Sequence, residues 1–194
     1  MITKIGVGVE GPSDRVFWDK VLHKHFGRRA RFDIHSMKNR DKLIRETPRL
    51  LATFQDLHYS AGLILLDRDR DPCVTAVLTR FSEAIRTEAR KPPPERYLFV
   101  CVAVRELEAW FLADHLAIAA VLPGSDYVSP QETGTSGGGE GLLKSLWRKE
   151  HGEVAFNKID FAKRIAPKFD PTRASLCSAS FQYFWRHTTG ITRR

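Results

Sequence analysis

Residues 61–69 read Ala-Gly-Leu-Ile-Leu-Leu-Asp-Arg-Asp, an unbroken apolar run that stops at a carboxylate. A strand with one face in water alternates apolar and polar side chains. An unbroken run instead indicates a strand covered on both faces, as in a parallel sheet sandwiched between helices. The flanking segments obey that arrangement. Lys4 to Val9 forms a first strand in which Gly6 and Gly8 allow close packing, and Gly11-Pro12-Ser13 breaks it. Asp14 then opens a helix whose apolar set, Phe17, Val21, Leu22 and Phe26, runs to Gly27. Arg31 to His35 is a second strand, and Asp41 to Leu57 a helix that Pro48 can bend. After the central run, a helix starts at Pro72 and stops before Lys91-Pro-Pro-Pro94. Tyr97 to Val104 is the fourth strand, and Leu107 to Leu122 is helical. Strands alternating with helices predict an α/β class with a mainly parallel sheet over residues 1–122. A Gly, Ser and Thr-rich flexible loop over 123–141 and a helical C-terminal segment over 142–194 follow, the latter with helices near 142–150, 161–165 and 178–187.

The chain has 194 residues and a net charge of +8. It is long enough to bury roughly 70% of its unfolded surface, so disorder is excluded as its main state. Its longest apolar runs, Leu98 to Val104 and Leu116 to Leu122, hold seven residues, far short of the roughly 18 that span a bilayer. No membrane association is expected, and the N-terminus reads as a strand and not as a signal peptide, which predicts a cytoplasmic protein. Cys73, Cys101 and Cys177 lack metal-site or disulfide spacing and are read as reduced core thiols.

Charge is uneven along the chain. From Arg15 to Arg49 there are 11 basic and 4 acidic residues, among them Arg28, Arg29, Lys38 and Arg40. A polyanion such as nucleic acid is a plausible partner, against the alternative of a merely solvated basic face.

Ligands of parallel α/β sheets sit at the carboxyl ends of the strands, and there this sequence gathers acids. Glu10 follows strand one, Asp67, Asp69 and Asp71 follow strand three, and Glu106 and Glu108 follow strand four. In extended backbone Asp67 and Asp69 leave the same face, as do Glu106 and Glu108. An oxygen-only set drawn from several strands suits Mg²⁺ or Mn²⁺, which could activate water on a phosphodiester. The other reading is that each acid caps a helix or solvates a loop. Arg68, Arg70 and Arg105, interleaved with these acids, either contact phosphates or pair with the acids internally. Trp110 could stack a base, but its helical spacing beside Phe111 and Asp114 favours a place in the core.

Val9-Glu-Gly-Pro-Ser-Asp14 and Leu65-Leu-Asp-Arg-Asp69 resemble the two motifs of the TOPRIM domain in composition, order and spacing. That fold is shared by topoisomerases, bacterial primases and the nucleases of the overcoming-lysogenization-defect (OLD) family. More narrowly, Val104-Arg-Glu-Leu-Glu-Ala-Trp-Phe-Leu-Ala-Asp114 and Ser178-Ala-Ser-Phe-Gln-Tyr-Phe184 resemble segments of small stand-alone TOPRIM-like proteins of uncharacterised function, often encoded beside ATPases in defence-type neighbourhoods. The resemblance implies a TOPRIM-like fold, with Glu10 as the acid-base or metal-binding glutamate and Asp67 and Asp69 as Mg²⁺ ligands. It also implies a metal-dependent nuclease working with a partner ATPase in defence or repair, with Glu106 or Glu108 completing one metal site or holding a second. A topoisomerase would need a second large domain, for which the chain has no room, and a primase a zinc module, which the three cysteines cannot supply. The rival is a non-catalytic module that binds nucleic acid or a protein. DNA or RNA, one metal or two, and the oligomeric state stay open.

Gly134-Thr-Ser-Gly-Gly138 formally matches G-x-S-x-G, but no apolar strand leads into Ser136, and no Gly-Lys-Ser/Thr sequence offers a phosphate-binding loop.

Overall fold

The computed structural model of the chain describes residues 2–88, 97–128 and 139–193. Four strands, β1 (Thr3–Val9), β2 (Ala30–Ser36), β3 (Ala61–Asp67) and β4 (Leu98–Ala103), form one sheet in the order β2-β1-β3-β4, every neighbouring pair parallel. Helices α1 (Pro12–Phe26), α2 (Arg40–Asp56) and α3 (Val74–Glu88) make the crossovers. The fold is therefore the expected mixed α/β one, a parallel sheet flanked by helices. The chain steps from β1 out to β2 and then back across to β3, so the strand order reverses between β1 and β3. That reversal opens a crevice at their carboxyl ends.

β3 is buried along its whole length. Leu63 and Leu65 belong to a core shared with α1 and the C-terminal helices, while Ile64 and Leu66 belong to a second core under α2 and α3. The unbroken apolar run thus serves two layers at once, which alternation could not do. Gly6 on β1 lets α2 sit down on the sheet, since a Cβ there would lie 2.3 Å from the ring of Phe54.

The single helix expected over 107–122 is two, α4 (Glu108–Leu112) and α5 (His115–Val121). Asp114 divides them, its carboxylate accepting the N–H of Ala117 to start α5. Then come α6 (Gly139–His151), α7 (Lys158–Ile165), α8 (Pro171–Cys177) and α9 (Ala179–Thr192). Helix α8 escaped the sequence reading although Asp170 and Pro171 carry its N-cap and first-turn signals. Of the loop expected over 123–141, residues 129–138, with the G-x-S-x-G match, lie outside the described residues, and 139–141 are already helix. Among the described residues no helix is long and apolar enough to cross a membrane. Cys101 is a buried core thiol as expected, whereas Cys73 is exposed.

The C-terminal helices close over α1. Trp110 is fully buried against Trp18, Phe181 and Phe184, and its indole N–H donates to Ser180 Oγ at 2.7 Å. The two segments that carried the narrower resemblance, around residues 104–114 and 178–184, therefore meet in one aromatic core.

Candidate active site

Three strand ends are tied together by carboxylates that accept backbone N–H groups. Glu10, the residue after β1, accepts the amide of Asp67 through Oε1 at 2.8 Å. Asp67, the last residue of β3, accepts the amide of Leu107 beyond β4 through Oδ1 at 2.7 Å. Glu106 Oε2 accepts the amide of Glu140 at 2.8 Å and so caps α6. Gly139 allows that approach, for a Cβ there would meet the Ala109 nitrogen at 2.5 Å. A cap supplied by another element leaves no local sequence signal, which is why α6 begins inside the predicted loop.

Asp14 joins them from the first turn of α1. It is buried and accepts the Gly11 amide through Oδ2 at 2.8 Å. Glu108, 1% exposed at the start of α4, meets Lys158 Nζ at 2.6 Å, and the same ammonium lies 3.6 Å from Glu140. Asp14 and Lys158 escaped the sequence reading of the site. Asp14 had a partial signal, one helical turn after Glu10, but Lys158 had none, since only the tertiary fold returns it to the strand ends.

Burial pushes the Glu10 carboxyl up to about 7 against the help of the Asp67 amide, and the negative charges of Asp69 and Asp14 add to the rise. Burial also raises Asp67 well above the usual carboxylate range, reinforced by Glu10, Glu108, Asp14 and Asp69. Glu108 is raised to about 7 by burial in spite of Lys158, and burial raises Asp14 as well. Lys158 is itself buried enough to be pushed down, but Glu108, Asp14 and Glu140 outweigh this and hold it in the charged form. Four carboxylates and one ammonium leave a site short of positive charge.

The remaining candidates separate into groups. Arg40, at the start of α2, bonds the carbonyls of Asp67 and Arg68 at 3.3 and 3.0 Å and pairs with Asp69 at 3.3 Å and Asp71 at 2.9 Å. Arg80 takes the same Asp71 oxygen. Asp69 and Arg105 have positive φ, 49° and 75°, and the Asp69 N–H donates to the Arg105 carbonyl at 2.7 Å. The strand ends at Asp67, so the alternation expected to place Asp67 and Asp69 on one face stops there: Asp67 turns into the sheet edge and Asp69 out toward solvent. Glu106 and Glu108 likewise diverge, one to α6 and one to Lys158. Arg40, Arg68, Arg70, Arg105, Asp69, Asp71 and Glu106 line a cleft of about 690 Å³. Lys38 is exposed beyond β2. Arg28 and Arg29 are at the opposite edge of the sheet, where the Thr3 amide at the start of β1 meets the Arg29 carbonyl at 3.4 Å. Helix α1 carries the chain the length of a strand away from Glu10, so they are not part of this cleft.

The profile of the family described as a domain of unknown function, DUF4276, matches residues 9–187, a span that holds every carboxylate just described. The chain belongs to the DUF4276 family. Among solved structures it is similar to the C-terminal region of the Burkholderia pseudomallei OLD protein, with a TM-score of 0.51, 17% identity, and coverage of 98% of this chain and 96% of that one. At that identity the likeness is one of fold. It supports the expected TOPRIM-like architecture of this DUF4276 chain, while the profile that matches is that of DUF4276. A search of curated proteins found no match.

Proposed function

We propose that this protein is a Mg²⁺- or Mn²⁺-dependent nuclease of TOPRIM type. The observation that carries the reading is the pairing of half-buried Glu10 with buried Asp67 at the strand-order reversal. Each carboxylate gives one oxygen to a backbone N–H, and each is raised by burial and by its acidic neighbours. Such a pair is strained electrostatically until a cation joins it.

The residues fit a hard cation in a restricted way. Among the described residues, no three His, Cys, Asp or Glu groups are placed to enclose an ion. Mg²⁺ does not require that, because it keeps several waters and is commonly held by one or two carboxylates together with substrate phosphate. Glu10 and Asp67 would hold it, with Asp69 at the cleft side. Asp71, Glu106 and Glu108, expected as further ligands, are engaged by Arg40 and Arg80, by the Glu140 amide and by Lys158, and support the site instead. The bound ion supplies a polarised phosphoryl oxygen and an acidified water. Arg68, Arg70 and Arg105 line the cleft where a phosphate would enter, and Lys158 offers a fixed positive charge toward the pentavalent state. Arg40 holds the Asp67 to Asp71 turn in place. A partner ATPase and a role in defence or repair belong to this reading through the resemblance to small stand-alone TOPRIM-like proteins, and cytoplasmic location through an N-terminus that reads as a strand.

One observation favours the rival, a non-catalytic module: an ammonium already neutralises Glu108, the place where a second cation would sit. The two readings part in one experiment. Purified protein is incubated with single- and double-stranded DNA and with RNA in Mn²⁺, Mg²⁺ or EDTA, beside Glu10→Gln and Asp67→Asn. Cleavage that needs metal and both carboxylates is the expected outcome. Absence of cleavage and of calorimetric Mn²⁺ binding in the folded wild type decides for the module.

A further inference from the structure

Helices α1 and α7 leave the carboxylate site side by side. Asp14 and Lys158, in their first turns, are electrostatic partners. Farther along, Lys20 Nζ donates to the Lys163 carbonyl at 3.3 Å, and Lys24 Nζ to the carbonyls of Pro167 and Phe169 at 3.0 and 3.4 Å. The two chains therefore run in parallel, and their seam carries a row of cations. Lys20 and Lys24 stand one turn apart on α1 and Arg28 follows beyond its C-cap Gly27, while Lys163, Arg164 and Lys168 are exposed on the α7 side, Lys163 pairing with Asp160 at 3.1 Å and Arg164 lying over the Trp147 ring. Asp19 and Asp160 are the exposed acids of the two helices beside them.

We infer that this seam is a nucleic-acid track, along which the backbone of a strand leaves the carboxylate site. The proposal rests on reading that site as one for phosphodiesters. Two features select a nucleic acid over an acidic protein. Lys20 and Lys24 lie one helical turn, about 6 Å, apart along α1, with Arg28 and Lys168 beyond the ends of the two helices, and such a line suits a uniform chain of phosphates. The large apolar side chains of both helices, Phe17, Trp18, Phe26 and Phe161 among them, are turned into the core, leaving no exposed aromatic anchor of the kind protein interfaces are built on. The 15 residues of α1 span about 22 Å, over which one duplex strand presents about six phosphates. Arg28 thus has a use although it lies far from the cleft: it binds strand that has already passed the site. The contacts are to backbone, so binding is independent of base sequence.

The test is fluorescence anisotropy in EDTA with labelled DNA of about 20 nucleotides, single-stranded and duplex, at several salt concentrations. The triple variant Arg28→Gln, Lys163→Gln, Lys168→Gln spares Lys20 and Lys24, whose ammonium groups also cap α7. It is expected to bind about tenfold more weakly at low salt, with the log–log salt slope reduced by about 2. Arg45→Gln with Arg49→Gln, on exposed positions of α2 across the sheet, is the control and is expected to bind as wild type. Wild-type affinity in the triple variant, an equal loss in the control, or no binding by wild type overturns the track. The measurement needs neither metal nor cleavage, so a track that holds in a protein that never cuts would refute the nuclease reading alone.

Discussion

Two buried carboxylates, Asp114 and Asp67, are treated in opposite ways by the same fold. Asp114 is fully buried and surrounded by donors. Arg173 grips it through Nε and Nη2 at 2.7 and 2.9 Å, and the amides of Asp170 and Ala117 reach it at 2.7 and 3.2 Å. Asp67 receives one backbone N–H and otherwise faces Glu10, Asp14, Asp69 and Glu108. A structural carboxylate is supplied with all the positive charge it needs. Asp67 is left in deficit, as the proposed metal site requires, and the difference separates the joint between α5 and α8 from the site at the strand ends.

The sharpest way to break the contrast is Asp114→Ala. It leaves the half-buried Arg173 guanidinium with Asp170 as its ion-pair partner, leaves the Asp170 amide without its acceptor and uncaps α5, and is expected to lower stability by about 2–4 kcal/mol in urea melts. Loss of less than about 1 kcal/mol would remove the distinction.

The second effect is a pH dependence with an unusual sign. Glu10 and Glu108 rise from 4.5 to about 7 on folding. A raised carboxyl favours the native state below its unfolded value, and that contribution is lost as pH climbs through the folded value. Stability in EDTA should therefore fall between about pH 5 and 8, by several degrees in Tm, and millimolar Mn²⁺ should recover more at pH 8 than at pH 5. Burial depresses His25, His35 and His187, which acts in the opposite direction below about pH 6.5. The comparison is thus made against Glu10→Gln, whose profile should be flatter. Identical profiles would show that the carboxylate carries no such load.

The smallest effect is the mirror of the first. Asp67→Asn keeps an oxygen for the Leu107 amide while removing the repulsion, and should raise stability at pH 8 by about 1–2 kcal/mol while abolishing Mn²⁺ binding. A loss of stability would place Asp67 with Asp114 as a structural residue.

Much of this was readable in the chain itself. The run at 61–66 requires cover on both faces, and the alternation of strands and helices leads to a parallel sheet whose carboxyl ends gather the acids; that β1 and β3 are neighbours, which puts Glu10 beside Asp67, comes from the fold. What escaped was of two kinds. Some partners come from far away in sequence: Lys158 reaches Glu108 from 50 residues on, and the Glu106 cap of α6 crosses 34. Other expectations took nearness in sequence for nearness in space. Asp69 is two residues from Asp67 but past the strand, where alternation no longer applies, and Arg28 follows Glu10 closely but at the far end of α1.

The chain of carboxylate-to-amide bonds has a consequence for how the site comes into being. Glu10 to Asp67 closes a loop of 57 residues, Asp67 to Leu107 one of 40, and Glu106 to Glu140 one of 34. None can form within a local hairpin or helix, so the site is assembled only when the strands have found their places. The amide protons of Asp67, Leu107 and Glu140, remote in sequence, share one fate when the sheet edge opens. Chemistry and topology are here a single cooperative unit, and the protein cannot present its carboxylates to a ligand before it has finished folding.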